Sequence, residues 1–313
     1  MHPLLIRILG SAAGGGFPQI NCNCRNCADA RQGAPGPKPR TQSSVAVSRD
    51  GQAWVLLNAS PDLRQQIATA QQLAPRRQAA SRDSPIKAVI LTNGDVDHIA
   101  GLLSLREGFA FTLYASGRVL GTLAANSIFN VLDLDLVPRV QLETGQTAEL
   151  ANAGVSLGLT VEAFPVPGKI ALYLENPAAG QSLGTRDGDT IGLRVADPSS
   201  GAAFFYVPGC AGMDDGLAAR LRSAQLVLFD GTLYSDDEMI AQGLSSKTGK
   251  RMGHMSMSGA GGSIAAFREL EVRRRVFVHM NNSNPVLHED SPEHAEVHEA
   301  GWEIAFDGME IAL

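Results

Sequence analysis

Leu91–His98, LTNGDVDH, stands where an apolar run gives way to charged residues. The run before it, Ile86–Ile90, is apolar except for Lys87 and short enough to be a buried strand, while the residues from Ile99 onward have helical spacing. A buried strand that stops abruptly in Asp95, Asp97 and His98 carries two carboxylates and an imidazole to its mouth, where sheet-based folds place ligands. That donor set suits a hard or borderline metal ion. The plainer alternative is an Asx-rich turn capping the following helix, because Asp is a common N-cap. A second strand, Arg274–Met280 (RRVFVHM), ends the same way, in His279 followed by NNSNP.

Outward from these two strands the chain alternates β-type runs with short helical ones. Strands are predicted at LLIRILG near the start, on either side of Asp50-Gly51 as a hairpin, at FTLYAS, VSLGLTVEAFPV, IALYLE, TIGLRVAD, AAFFYVPG and QLVLFDGT. Helices are predicted at LRQQIATAQQL, GRVLGTLAANSIFNVL, DDGLAARLRSA and SGAGGSIAAFREL, and again from Ser291 as N-cap through Pro292 to Gly301 as terminator. A last hairpin is expected in WEIAFDGMEIAL, turning at Asp307-Gly308. The two β-rich halves show no sequence repeat and no linker, so the pattern predicts one α/β domain over residues 1–313, with two packed sheets covered outside by helices.

Three of the four cysteines, Cys22, Cys24 and Cys27, lie within six residues. They are too close to bridge one another comfortably, but a tight loop over about residues 14–30 can turn all three thiolates onto one structural zinc. A closed site needs a fourth ligand, which the residues themselves leave open among Cys210, a histidine and an amide from the C-terminal part.

With 313 residues, 44% of them hydrophobic, and a net charge of −6, the chain can bury a large core but has no broad electrostatic hold on nucleic acid or an anionic membrane. A small molecule is the partner this composition fits. No apolar stretch approaches the roughly 18 residues of a membrane span, and the N-terminus lacks a basic leader, so a cytoplasmic protein is expected. Ser84–Lys87 and Lys247–Gly249 mimic serine β-lactamase motifs, but no Ser-Asp-Asn element accompanies them. His294 and His298 are read as one solvated helix face, and SDDEM at 235–239 as an acidic helix start in which Asp236 or Asp237 is available to recognise an amine.

LTNGDVDHIAGL resembles the H-x-H-x-D-H motif of the metallo-β-lactamase superfamily, with Asn93 and Asp95 at the two leading histidine positions and Asp97 and His98 at the last two. His279 is similar to that superfamily's late strand-end histidine. GSAAGGGFPQINCNCRNC, RTQSSVAVS, LNASPDLRQQ, GLLSLREG, LFDGTLYSDDEM and NNSNP narrow the resemblance, over essentially the whole chain, to its branch in pyrroloquinoline quinone (PQQ) biosynthesis. The resemblance implies an αββα sandwich with the site along one edge of the two sheets. It also locates departures from the two-zinc hydrolases: FPVPGKIAL has no histidine at the third histidine position, and VPGCAG offers Gly209 or Cys210 where a bridging aspartate usually stands. Asp97, His98 and His279 remain, with Asp95 as a fourth ligand or as acceptor of a phenol proton. Two histidines and a carboxylate with open positions suit mononuclear Fe(II) and O2.

The implied activity is iron- and O2-dependent hydroxylation of the tyrosine-derived ring in the glutamate–tyrosine cross-linked precursor of PQQ, alongside other proteins of that pathway. Asp230 and His254 are then candidates for orienting the ligands or for acid–base work. Related phosphodiesterases of the superfamily place a zinc-binding histidine three residues after the late strand-end one, a position held here by Asn282. Two other readings remain: a non-catalytic carrier of PQQ or its precursor, and a residual hydrolase with zinc at the Asp/His site.

Overall fold

The computed structural model describes residues 3–77, 79–174 and 187–313. Among them, the strands form two seven-stranded sheets. The first holds β1 (Leu5–Gly10), β2 (Ser44–Ser48), β3 (Trp54–Leu57), β4 (Ile86–Ile90), β5 (Thr112–Ala115), β6 (Arg139–Gln141) and, beside β1, the C-terminal β14 (Glu310–Ala312). The second holds β7 (Thr147–Asn152), β8 (Val155–Pro165), β9 (Ile191–Ala196), β10 (Ala203–Val207), β11 (Val227–Asp230), β12 (Arg275–Val278) and β13 (Glu303–Ile304). Each half of the chain starts as an antiparallel meander, β1 to β3 and β7 to β10, and continues in parallel strands, β4 to β6 and β11 to β13. The two halves therefore share a topology that their sequences do not reveal.

Side chains alternate between the faces of a strand, and that alternation builds the layers. Val45, Val47, Val55, Leu57, Ala88 and Ile90 of the first sheet join Val161, Leu193, Phe204, Val227 and Val276 of the second in one buried cluster. Their neighbours Ala46, Trp54, Leu56 and Val89 face the other way, under α2 (Leu63–Thr69) and α4 (Gly117–Ala125), while α1 (Arg25–Arg31) lies by the cysteine loop and α3 (Val96–Ile99) opens directly after β4. On the second sheet, α5 (Asp215–Leu221) contributes Leu217 and Leu221 to the core and α8 (Pro292–Glu299) Val297, while α7 (Ser263–Ala266) packs Ile264 and Ala266 against it and α6 (Glu238–Ala241) follows β11. The result is the expected αββα sandwich. No helix among the described residues is long and apolar enough to cross a membrane.

Most local expectations hold, including the Asp50-Gly51 turn, the Ser291 cap that accepts a bond from the His294 N–H, and Gly301 as terminator in a left-handed conformation (φ 77°). Three differ. The Asp307-Gly308 turn does not close a hairpin, because β13 pairs with β12 and β14 with β1, so the chain there crosses between sheets. Asp307 holds the crossing by accepting bonds from Ser11 and Thr41. IALYLE is a single 3-10 turn at Leu172–Leu174 rather than a strand, with Glu175 outside the described residues. The glycine-rich start of SGAGGSIAAFREL leaves only one helical turn, as glycine's backbone entropy disfavours more.

Candidate metal centre and its cavity

The site gathers where β4, β11 and β12 end. Donor atoms of Asp97, His98 and His279 lie within 4.8 Å of one another, and so do those of Asp230, His254 and His279, with His279 common to both groups. Asp97 and His98 stand on α3, which starts so soon after β4 that its first turn faces the strand ends. His279 immediately follows β12 at φ 63°, a left-handed backbone rare for a residue with a side chain and often found at functional sites. Met280 fixes this turn through backbone bonds to Ser11 and Ala13 of the loop after β1.

Hydrogen bonds select the ring nitrogens. His98 Nδ1 is 2.7 Å from Asn93 Oδ1, an amide oxygen that accepts the proton, so Nε2 carries the lone pair. That Nε2 is buried and has no hydrogen-bond partner. Burial, only partly offset by Asp97, holds His98 below the ordinary histidine range, which keeps the imidazole in the neutral, metal-binding form. His279 Nδ1 lies 2.8 Å from Thr232 Oγ1 and its Nε2 3.0 Å from Asp97 Oδ2. Burial pushes His279 down, but the bond to Asp97 and the surrounding carboxylates outweigh it and raise it. Asp97 itself is pushed up by burial and held well below the usual carboxylate range by His98 and His279. A carboxylate wedged between two imidazoles, one with an orphaned lone pair, fits a cation at their centre.

Asp230, fully buried, is the hub of the second group. Its Oδ2 accepts from the Cys210 N–H at 2.8 Å and lies 2.7 Å from His254 Nδ1, while Oδ1 accepts from the Thr232 hydroxyl at 2.6 Å. Burial alone would raise this carboxyl, but His254 and Thr232 lower it. The pair thus orients His254 with its Nε2 edge away from Asp230. The His254 ring stacks on His279 at 5.4 Å and lines a cavity of about 440 Å³ together with Asp97 and His279.

Asp95 also lines that cavity, but it is not in the close donor group: its carboxylate accepts from Asn93 Nδ2 at 3.0 Å. It occupies the N-cap position of α3 without making a capping bond. Asp236 and Asp237 stay outside the cavity, Asp236 accepting from the Lys250 N–H and Asp237 from the Ser235 hydroxyl. His294 and His298 form a pair on α8, with ring nitrogens 3.1 Å apart, remote from this centre. Asn93 and Thr232 were not singled out as orienting residues in the sequence. Asn93 sits inside the motif, at a position where it is visible only as a missing histidine, and Thr232 has no periodic signal at all.

The cysteine loop folds against the segment after His279. Sγ atoms of Cys22, Cys24 and Cys27 converge within 4.8 Å, and Asn282 Nδ2 lies 3.1, 3.7 and 3.4 Å from them respectively. Asn26 ties the loop down by donating to the Asn282 and Asn284 carbonyls. Cys210 is elsewhere, its thiol against the Gly212 carbonyl and pushed up to about 12 by burial. Of the fourth ligands left open by the residues, the structure brings an amide to the sulfurs and not Cys210.

Residues 53–280 match the model of the beta-lactamase superfamily domain. Coenzyme PQQ synthesis protein B of Gluconacetobacter diazotrophicus is 52% identical over 305 residues, covering 97% of this chain and 98% of that protein. The chain belongs to the coenzyme PQQ synthesis protein B family. The Rhizobium meliloti member is 50% identical over 310 residues, covering 99% and 98% of the two chains. The crystal structure of Zn(2+)-bound PqqB from Methylobacterium extorquens superposes with a TM-score of 0.93 at 49% identity, over 99% of this chain and all of that one. A diphosphatase of the PhnP family, at 20% identity and a TM-score of 0.66 over 99% and 97% of the chains, shares the fold. In this member of the coenzyme PQQ synthesis protein B family, the loop FPVPGKIAL, which has no histidine, brings Lys169 to the cavity, and Cys210 contributes its backbone N–H to Asp230.

Proposed function

We propose that the protein is an iron- and O2-dependent hydroxylase of PQQ biosynthesis, acting on the tyrosine-derived ring of the glutamate–tyrosine cross-linked precursor. Membership of the coenzyme PQQ synthesis protein B family supports the pathway. The observation that carries the chemistry is the facing set of Asp97, His98 and His279, with the buried His98 Nε2 left without a partner. Bound there, Fe(II) supplies open positions at which O2 can be activated beside a substrate. Asn93 fixes the His98 tautomer and Thr232 that of His279, so both rings present Nε2 inward. His254, oriented by Asp230, is the base placed to take a proton from a phenol in the cavity, and Asp95 offers a second acceptor at the same wall. Met239, Met252, Leu172 and Tyr173 give the cavity apolar surface for an aromatic ring. Cys22, Cys24 and Cys27 would hold a structural zinc, with Asn282 as fourth ligand if its amide presents Oδ1 in place of the Nδ2 that faces the sulfurs. The Zn(2+)-bound relative supports zinc in this fold.

The test is anaerobic reconstitution with Fe(II) or Zn(II), addition of the cross-linked compound, exposure to oxygen and mass analysis. Oxygen gained only with iron supports the hydroxylase. Tight binding with no mass change under either metal favours the carrier, and cleavage with zinc in the absence of oxygen favours the hydrolase.

A further inference from the structure

The cavity beside the metal centre holds two half-buried lysines, Lys169 and Lys247, and neither ammonium has a hydrogen-bond or ion-pair partner among the described residues. Surface lysines are commonly unpaired, but these two line a concave site whose remaining charge sits on the metal-centre wall. Withdrawing an ammonium from water without a counter-charge is unfavourable, and two in one cavity repel each other. The two lysines are carried by different loops, each fixed by hydrogen bonds of its own. Lys169 follows Pro167, whose carbonyl accepts from the Ala211 N–H at 2.6 Å, and its own carbonyl accepts from Thr190 Oγ1 at 3.0 Å. Its methylene stem lies over Gly253, where a Cβ would stand 2.7 Å from Lys169 Cγ and where φ is 87°. Lys247 sits on the loop after α6 that Asp236 pins by accepting from the Gly249 and Lys250 N–H groups, and the same loop closes on His254, whose N–H donates to the Gly249 carbonyl.

We infer that Lys169 and Lys247 are specificity-determining residues that take two carboxylates of an aromatic polycarboxylate ligand while its ring lies against the metal centre. This rests on the proposed hydroxylase reading for the identity of the ring, but the charge argument stands on the cavity itself. Lys169 and Lys247 are the unpaired cationic side chains of the described cavity lining, so a ligand that sets its ring against the metal centre turns its acidic groups toward them. Gly253 serves the pair by leaving room for the Lys169 stem.

The experiment is calorimetric titration of the zinc-loaded, redox-inactive protein. The probes are the glutamate–tyrosine cross-linked compound, phenylsuccinate as an unrelated aromatic dicarboxylate, and the methyl esters of both. Wild-type protein should bind at least one free acid about tenfold or more tightly than its ester. Lys169→Ala and Lys247→Ala should each erase most of that preference, while Lys169→Arg retains it and circular dichroism verifies the fold of each variant. Persistence of the acid preference in folded Ala variants, or its absence in the wild type, would overturn the inference. Binding of phenylsuccinate with refusal of the cross-linked compound would support the lysine pair while sinking the proposed substrate, so the two ideas fail separately.

Discussion

His98 shows how a single side chain's chemistry is set by its neighbours. Asn93 removes one nitrogen from play and burial keeps the other unprotonated, so the residue is a ligand before any ion arrives. Asp97→Ala should therefore abolish iron binding at this centre and reduce hydroxylation at least a hundredfold while leaving the circular dichroism spectrum unchanged; metal content and turnover measured on one preparation check both. Asn93→Ala should be milder, lowering iron affinity by about 10- to 100-fold, the usual effect of losing a partner that orients a metal-bound histidine. An Asn93→Ala protein with wild-type iron affinity would remove Asn93 from that role. The motif made Asp97 and His98 legible in the sequence because adjacent residues travel together into the site. Asn93 was legible only as an absent histidine, since its task depends on a tautomer that forms when the loop closes.

At the scale of elements, the segment from His279 to Asn284 serves two sites, carrying one ligand to the cavity and Asn282 to the cysteines. Loss of zinc from the cysteine loop should loosen both. Cys24→Ser is expected to destabilise the fold by several kcal/mol. Hydrogen exchange should quicken at residues 279–284 as well as at 22–27, and protection unchanged at 279–284 would disprove the coupling. The same segment supplies Ser283, whose hydroxyl donates at 2.5 Å to Glu238 at the start of α6, while the Tyr234 N–H donates to the other carboxylate oxygen at 2.7 Å. Burial outweighs these bonds and pushes Glu238 up to about 7 from 4.5. Because the folded carboxyl binds its proton more tightly than the unfolded one, its contribution is fully present below pH 4.5 and is lost as pH rises to about 7. The loss is of order 3 kcal/mol at most. Urea unfolding of wild type and Glu238→Gln across that window should give a falling slope that the variant lacks. Cysteine spacing alone disclosed a metal loop, but which strand it docks on follows from a contact between residues some 255 positions apart, and no local pattern encodes it.

The whole molecule is joined by one buried cluster that both sheets share, so they are expected to unfold together. The two tryptophans report on opposite sides of the sandwich: Trp54 packs under the helices of the first sheet, and Trp302 stacks on Phe277 of β12 at 3.9 Å. Single-tryptophan variants, Trp54→Phe and Trp302→Phe, should therefore give coincident fluorescence transitions in denaturant, whereas separate midpoints would reveal two folding units. Trp302→Ala should cost about 3–5 kcal/mol, as for other buried aromatic truncations. What the sequence determined by itself was the local material: strands from apolar alternation, turns from Asp-Gly and Ser-Pro, and metal donors where strands end in Asp and His. Only the tertiary structure decided which strand ends meet. β13 and β14 look like one hairpin and lie in different sheets, and His279 reaches Asp97 across 182 positions of chain. Periodicity records how a segment faces its immediate layer, whereas sheet order and the meeting of strand ends follow from burying all layers at once.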